Sequence, residues 1–251
     1  MLNRQETVLA LKRQLALDLN CAISDFDSDA NIITVPAIRH GRREYIRGAF
    51  FFSMATMGKN AVISADGALH PWLRDYAASK PGHYLFEHGS LMEIEGQLAP
   101  HGKRLSQSHH MFLPRPGFIE VRAGVKVRWY ETDDIMGLYG GGFPNALCKE
   151  FDPKRPDMLA VAALDKGGDI MGLAGCSADC PDMWQIGIDV FPAFRGRGIA
   201  TALVSLLRNE ILKRGYIPFY GTSLSNLHSW NVALNSGFYP AWVEIVTVEE
   251  D

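Results

Sequence analysis

The run Phe191-Pro192-Ala193-Phe194-Arg195-Gly196-Arg197-Gly198-Ile199-Ala200 carries the most informative chemistry in the chain. Its glycines let the backbone approach a ligand closely, and its arginines bring positive charge. Ile199, Leu203, Leu206/Leu207 and Ile211 then form the apolar stripe of a helix that starts at once. A helix N-terminus leaves backbone N–H groups free and carries the positive end of the helix dipole. A glycine-rich turn feeding one therefore suits a phosphate. The alternative is a tight turn that merely contains arginines. Two nucleotide signatures fail at particular residues. A dinucleotide fingerprint needs glycine at position 201 and an acidic residue about 20 positions further on. Thr201 stands at the first, and Ile217-Pro218-Phe219-Tyr220-Gly221-Thr222-Ser223 has no acid. The Gly-Lys-Ser/Thr of a P-loop is also absent.

Such a turn must be held by a strand on one side and a helix on the other. Met183 to Val190 supplies the strand, with Trp184, Ile186, Ile188 and Val190 on one face and Gln185, Gly187 and Asp189 on the other. Pro192 stops it. Upstream, Met158 to Leu164 and Ile170 to Ala174 read as a hairpin across Asp165-Lys166-Gly167-Gly168-Asp169. Val121 to Tyr130 alternates as a further strand. Thr132 or Asp133 then caps a helix, and Gly140-Gly141-Gly142 reads as a helix end and turn or as a mobile loop.

Residues from about 123 to 251 resemble the GNAT superfamily of N-acetyltransferases. The family's acyl-CoA signature, Arg/Gln-x-x-Gly-x-Gly/Ala, is met by Arg195, Gly198 and Ala200. Ile188-Asp189-Val190 and Pro192 match the strand before it. Asn226, Ser229, Gly237 and Phe238 match a second element, an Asn followed by a helix ending in Gly-Phe. The resemblance implies an α/β (α+β) fold, with a mixed, mostly antiparallel central sheet flanked by helices. It implies acetyl-CoA as cosubstrate, no metal, and direct attack of an amine on the thioester. In the family the signature strand splays from its neighbour at a bulge, so that the backbone of Ile188, Asp189 and Val190 would bond the pantetheine arm. The amides of Gly196, Arg197, Gly198, Ile199 and Ala200, after Arg195, would hold the pyrophosphate. An N–H near Val190 would stabilise the oxyanion. Asn226 and Ser229 would help to position the cofactor, and Asn226 can also cap its helix.

One departure bears on mechanism. Many family members place a tyrosine seven residues after this Asn, where it protonates the departing thiolate; here that position is Ala233. Tyr220 and Tyr239 are the nearest replacements in sequence, each otherwise a packing residue. Asp182 and Asp189 are the candidates for general base, although Asp189 could simply face solvent. Ala233 is also the best support for a second reading, a catalytically weak acyl-CoA-binding sensor or regulatory module.

The rest of the chain is less specific. Its 251 residues, 47% hydrophobic and 21% charged, fit one large or two small globular domains. The punctuation Pro114-Arg115-Pro116-Gly117 divides it into an N-terminal α/β domain, 1–120, and the GNAT-like domain, 121–251. The first is compatible with a degenerate copy of the same fold and lacks a glycine-rich loop. In it, Val8, Leu11, Leu15 and Leu19 predict a helix, 60–64 a buried strand, 69–79 a helix and 91–98 a strand; His109-His110 reads as exposed loop. Residues 1–122 carry a net +2 and 123–251 a net −5, which mildly favours a cationic acceptor. With no global basic surface, nucleic acid is not an expected partner. The longest apolar runs, such as 49–52, fall far short of the ~20 residues of a membrane span. Met1 to Arg13 lacks a signal-peptide core, so the expected location is the cytoplasm. Cys21, Cys148, Cys176 and Cys180 are then expected as thiols. The expected partners are acetyl-CoA and an amine, with a homodimer left open.

Overall fold

The computed structural model describes residues 3–43, 48–121, 124 and 126–249. Packing separates two compact units, Val8–Met111 with Ala241–Asp251, and Met1–Thr7 with Phe112–Pro240. Among the described residues no helix is long and apolar enough to cross a membrane.

In the first unit, α1 (Arg4–Asp18) buries Leu11 and Leu15 through the predicted stripe. β1 (Ile32–Thr34), β2 (Phe52–Thr56) and β3 (Ala61–Ala65) follow. β3 lies between β1, to which it is parallel, and β2, to which it is antiparallel. Every residue of β2 and β3 is buried. α2 (His70–Ala78) starts with Pro71 in its first turn, where a missing N–H costs nothing. α3 (His88–Leu98) corrects the strand expected over 91–98. Leu91, Ile94 and Leu98 recur at three and four residues, and Ile94 and Leu98 are fully buried. Leu, Met, Glu and Gln also favour helix. β4 (Lys103–Leu105) pairs with residues 247–249, and β5 (His109–Pro114) follows. His109 and His110 therefore lie in a strand, not a loop. His109 is exposed and His110 half-buried, and burial pushes the His110 pKa down.

The second unit is an α/β layer arrangement with a mostly antiparallel sheet. β6 (Lys126–Glu131), β7 (Asp157–Leu164), β8 (Ile170–Ser177) and β9 (Met183–Val190) pair antiparallel in chain order. Arg122, Ala123 and Val125 of the strand expected from Val121 lie outside the described residues. The single helical turn α4 (Thr132–Ile135) has Glu131 at its N-cap position, one residue before the expected caps, and the Asp134 carboxylate accepts the Glu131 N–H at 3.3 Å. α5 (Ile199–Lys213) crosses from β9 to β10 (Ile217–Ser223), which pairs parallel with β9, and α6 (Leu227–Asn235) leads to β11 (Phe238–Glu249). α5 and α6 cover one face through Leu203, Leu207, Ile211 and Ala233, packed on Val161, Trp184 and Ile186.

Arg208 sits in the middle of α5 with none of its surface exposed. It donates to the Arg115 and Gly117 carbonyls and to Asn209 Oδ1, and Asn209 holds Ile119 through two further bonds. Burial pushes its pKa down to about 10. The guanidinium thus ties 115–119 to the helix. Arg208→Ala is expected to cost ~3 kcal/mol in denaturant unfolding, because it strands several buried acceptors. Arg208→Lys should rescue little, since one ammonium cannot reproduce the fork. An unchanged unfolding midpoint in Arg208→Ala would remove this tether from the account of the fold.

Candidate active site

β9 has two neighbours for half of its length. With β10 it pairs from Met183/Ile217 to Ile186/Tyr220, and then both strands continue without pairing to each other in the described ladder. With β8 the register runs unbroken from Gln185/Ser177 to Val190/Gly172. The divergence implied by the resemblance is present, but β9 carries no register shift against β8, so no bulge is needed on that side. Between Gly187 and Val190 the described β9–β10 ladder gives the β10-facing backbone edge of β9 no partner.

The turn after β9 is built from local bonds. The Phe191 N–H donates to the Met171 carbonyl at 3.0 Å, and Pro192–Phe194 makes one tight helical turn. Arg195 Nε donates to the Val190 carbonyl at 3.0 Å. Arg197 Nη2 donates to the Ala193 carbonyl at 3.0 Å, with its guanidinium 5.4 Å from the Phe194 ring centroid. Both arginines brace the turn while remaining exposed. Gly196 and Gly198 adopt φ +73° and +75°, left-handed values that favour glycine, and a Cβ at either would meet no atom within 4 Å. The space above the turn is therefore open.

Gly198 occupies the N-cap position of α5, and no side chain caps that helix. At α6 the opposite holds: Asn226 Oδ1 accepts the Ser229 N–H at 3.1 Å. The α5 N-terminus, with Gly198, Ile199 and Ala200 at its start, thus keeps its N–H groups for an external acceptor, as a pyrophosphate requires. Asn226 serves its own helix.

Asp189 is half-buried and engaged by a neighbouring segment. Its carboxylate accepts the Asn145 N–H at 2.8 Å, the Ala146 N–H at 2.8 Å and Asn145 Nδ2 at 2.6 Å. The segment it grips crosses the sheet where Gly175 pairs with Gly187. A Cβ on Gly187 would stand 1.7 Å from the Asn145 carbonyl oxygen, and one on Gly175 2.2 Å from that of Ala146. These two glycines let 145–146 lie directly on β8 and β9. Gly140 and Gly142, at φ +77° and +88°, turn the chain into this segment, and Phe143 packs on Phe191 with centroids 5.5 Å apart. The paired glycines and the clamp went unread in sequence, because their partners lie about 30 to 44 residues away.

The remaining candidates separate. Asp182 is exposed at the start of β9, eight residues from Val190 and so ~25 Å from the turn. Its carbonyl accepts the Ile217 N–H at 2.9 Å. Tyr239 lies on β11 with the Arg4 guanidinium 4.9 Å from its ring centroid. Tyr220 stands at the last paired position before the divergence, buried, with its hydroxyl 2.7 Å from Ser229 Oγ. Among the described residues no group of three or more His, Cys, Asp or Glu side chains could hold a metal ion. None of the four cysteines forms a disulfide, and burial pushes the Cys21 thiol up to about 12 and Cys148 to about 11.

A strand that parts from its parallel neighbour, a left-handed glycine turn and an uncapped helix define an α/β architecture that can hold a phosphorylated, extended ligand. Residues 127–238 match the family model described as the Acetyltransferase (GNAT) family. That family uses acetyl-CoA. The chain is similar in fold to a GCN5-related N-acetyltransferase-like protein from Streptococcus suis, at 14% identity over 80% of this chain and 82% of that one, with TM-score 0.49. It is likewise similar to a GCN5-related N-acetyltransferase from Sphaerobacter thermophilus, at 11% identity, 97% and 92% coverage and TM-score 0.49. A tandem GNAT protein from the clavulanic acid biosynthesis pathway aligns at 14% identity over 99% and 96%, with TM-score 0.48. No curated protein matches the chain.

Asp189→Ala removes three charge-assisted bonds from a half-buried site. It is expected to cost ~2 kcal/mol and to open 140–147 to limited proteolysis. Unchanged stability and an unchanged cleavage map would show that 145–146 is held by packing alone.

Proposed function

We propose that this protein transfers the acetyl group of acetyl-CoA directly to the amine of a small-molecule acceptor. The observation that carries the reading is the pairing of an open β9 edge with an uncapped α5 N-terminus across one glycine turn. On this reading the amides of 196–200, with Arg195 and Arg197 adding positive charge, take the pyrophosphate. The free edge at Ile188–Val190 takes the pantetheine amides as an added strand. The Val190 N–H would stabilise the oxyanion as the carbonyl is attacked. The bound thioester supplies the activated acetyl group; the chain supplies orientation and hydrogen bonds.

Asp189 is committed to Asn145 and Ala146 and Asp182 lies at the far end of the strand, so the acceptor's proton leaves through solvent or through a group not on β9. In sequence the catalytic domain is taken as 121–251. The preceding 1–120 forms an N-terminal α/β domain derived from the same fold without its cofactor turn. The sensor reading shares the cofactor site and differs only in turnover.

Acetyl-CoA and CoA at 100 times their dissociation constants are expected to stabilise the protein by ~2.7 kcal/mol, while NAD leaves the melting temperature unchanged. Gly198→Leu should abolish the shift, since a side chain there is strained at φ +75° and fills the phosphate approach. Thiol release against a panel of amines then reads turnover. Binding without release from any amine would favour the sensor, and no shift with either CoA species would remove both readings.

A further inference from the structure

The first unit, which has no glycine-rich turn, holds a cleft of about 370 Å³. That volume falls within the ~300–1,000 Å³ of small-molecule sites. Strand ends build it. β1 and β3 run parallel, in register from Ile32/Val62 to Thr34/Ser64, and their carboxyl ends deliver Val35 and Asp66 to the cleft. Ligands of parallel α/β sheets gather at such carboxyl ends. β2, antiparallel to β3, is entered from the same side through Phe50 and Phe51, while paired β4 and β11 add Lys103 and Val248. The aromatic wall is fixed. Phe51 packs on the apolar cluster of the unit, and its ring centroid lies 5.0 Å from that of His101. Its carbonyl accepts the Asp66 N–H at 2.8 Å, which ties the acid to the wall. Asp66 Oδ1 accepts the Ala68 N–H at 2.9 Å, and Oδ2 makes no hydrogen bond or ion pair among the described residues. Thr247 also lines the cleft, but its hydroxyl is spent on the Phe52 N–H and carbonyl, both at 3.2 Å. The charged lining is therefore one carboxylate and one ammonium, with Val35 and Val248 as exposed apolar side chains beside them.

We propose that this cleft binds a free α-amino acid with an apolar side chain, its ammonium at Asp66, its carboxylate at Lys103 and its side chain against Phe50, Phe51 and the two valines. Charge selects the class. A simple cation meets the Lys103 ammonium and a simple anion the Asp66 carboxylate, whereas a zwitterion satisfies both. Bonds between ionised partners are roughly twice as strong as neutral ones, so the two ends fix the ligand's orientation. The aromatic walls supply apolar area to the side chain, and their faces attract an ammonium. Binding here involves no covalent step and does not rest on the acetyl-transfer reading. It gives the N-terminal unit a ligand of its own.

The test is calorimetric titration of the full-length protein, without acetyl-CoA, with each standard L-amino acid. The best binder is then compared with its decarboxylated amine and its deaminated acid. An aromatic or branched amino acid should bind, and each single-charge analogue should bind ~10-fold more weakly. Asp66→Asn keeps an oxygen for the Ala68 N–H; it should weaken the amino acid and the amine ~10-fold and leave the acid unchanged. Lys103→Gln should weaken the amino acid and the acid and spare the amine. Neither side chain belongs to a buried cluster, so both variants should keep the wild-type melting temperature. No binding by any amino acid would overturn the proposal. So would binding that neither substitution changes, which places the ligand elsewhere, for instance where an acetyl acceptor sits. Equal affinity for the amino acid and its single-charge analogues would overturn the zwitterion assignment.

Discussion

The C-terminal part of the fold depends on one break in hydrogen bonding: β9 leaves β10 after Ile186 and Tyr220. A central strand that gives up one neighbour loses several ladder bonds, each worth ~1 kcal/mol net. Three features oppose further fraying. The β8 ladder continues to Val190, Ile188 and Val190 pack against the helices, and Asp189 holds Asn145 and Ala146 through three charge-assisted bonds. The last are individually stronger than neutral bonds and fall within the unpaired stretch. The open edge is thus a supported edge, which keeps it extended and available to a ligand backbone.

Alternation along β9 divides the work. Even-numbered residues face the helices and odd-numbered ones face the crossing segment, while the backbone edge remains for a third partner. The Gly175/Gly187 pair is the steric condition for this arrangement. With a methyl on either, the 145–146 carbonyls would be displaced from the sheet and Asp189 would lose its acceptor geometry. The arginines of the turn follow the same economy. Arg195 and Arg197 stitch the turn to Val190 and Ala193, so their charge is placed by bonds within the chain.

Local features were legible in the sequence. The strand 183–190, the turn 195–200, the stripe of α5 and the Asn226 element each depend on neighbours within a few residues, and each lies where the pattern put it. Readings failed where local patterns are degenerate or the decisive partner is remote. Residues 91–98 offer Leu, Glu and Ile at spacings that fit either period, and burial of Ile94 and Leu98 selects the helix. His109 and His110 resemble a loop by polarity alone, yet Met111 to Pro114 draw them into a strand. Asp189 reads as an acid on a catalytic strand, but Asn145 and Ala146, more than 40 residues earlier, consume its oxygens. The Tyr220–Ser229 contact spans a turn and a helix start, a geometry that no spacing rule announces. Arg208 resembles an ordinary helix cation until the 115–119 carbonyls are seen around it.

The two helices beside the divergence separate structure from binding. α6 is closed by Asn226, whose Oδ1 accepts the Ser229 N–H. α5 begins at a left-handed glycine and keeps its donors open. Replacing a side-chain cap by glycine costs a helix only a few tenths of a kcal/mol. A capping carboxylate or amide at that position would instead compete with a phosphate for the same N–H groups. The open terminus is therefore cheap in stability, and on the proposed reading it leaves its N–H groups for the pyrophosphate. Its position at the end of the unpaired β9 segment is what the proposed reading uses, with one ligand's anion at the helix and its extended arm along the strand.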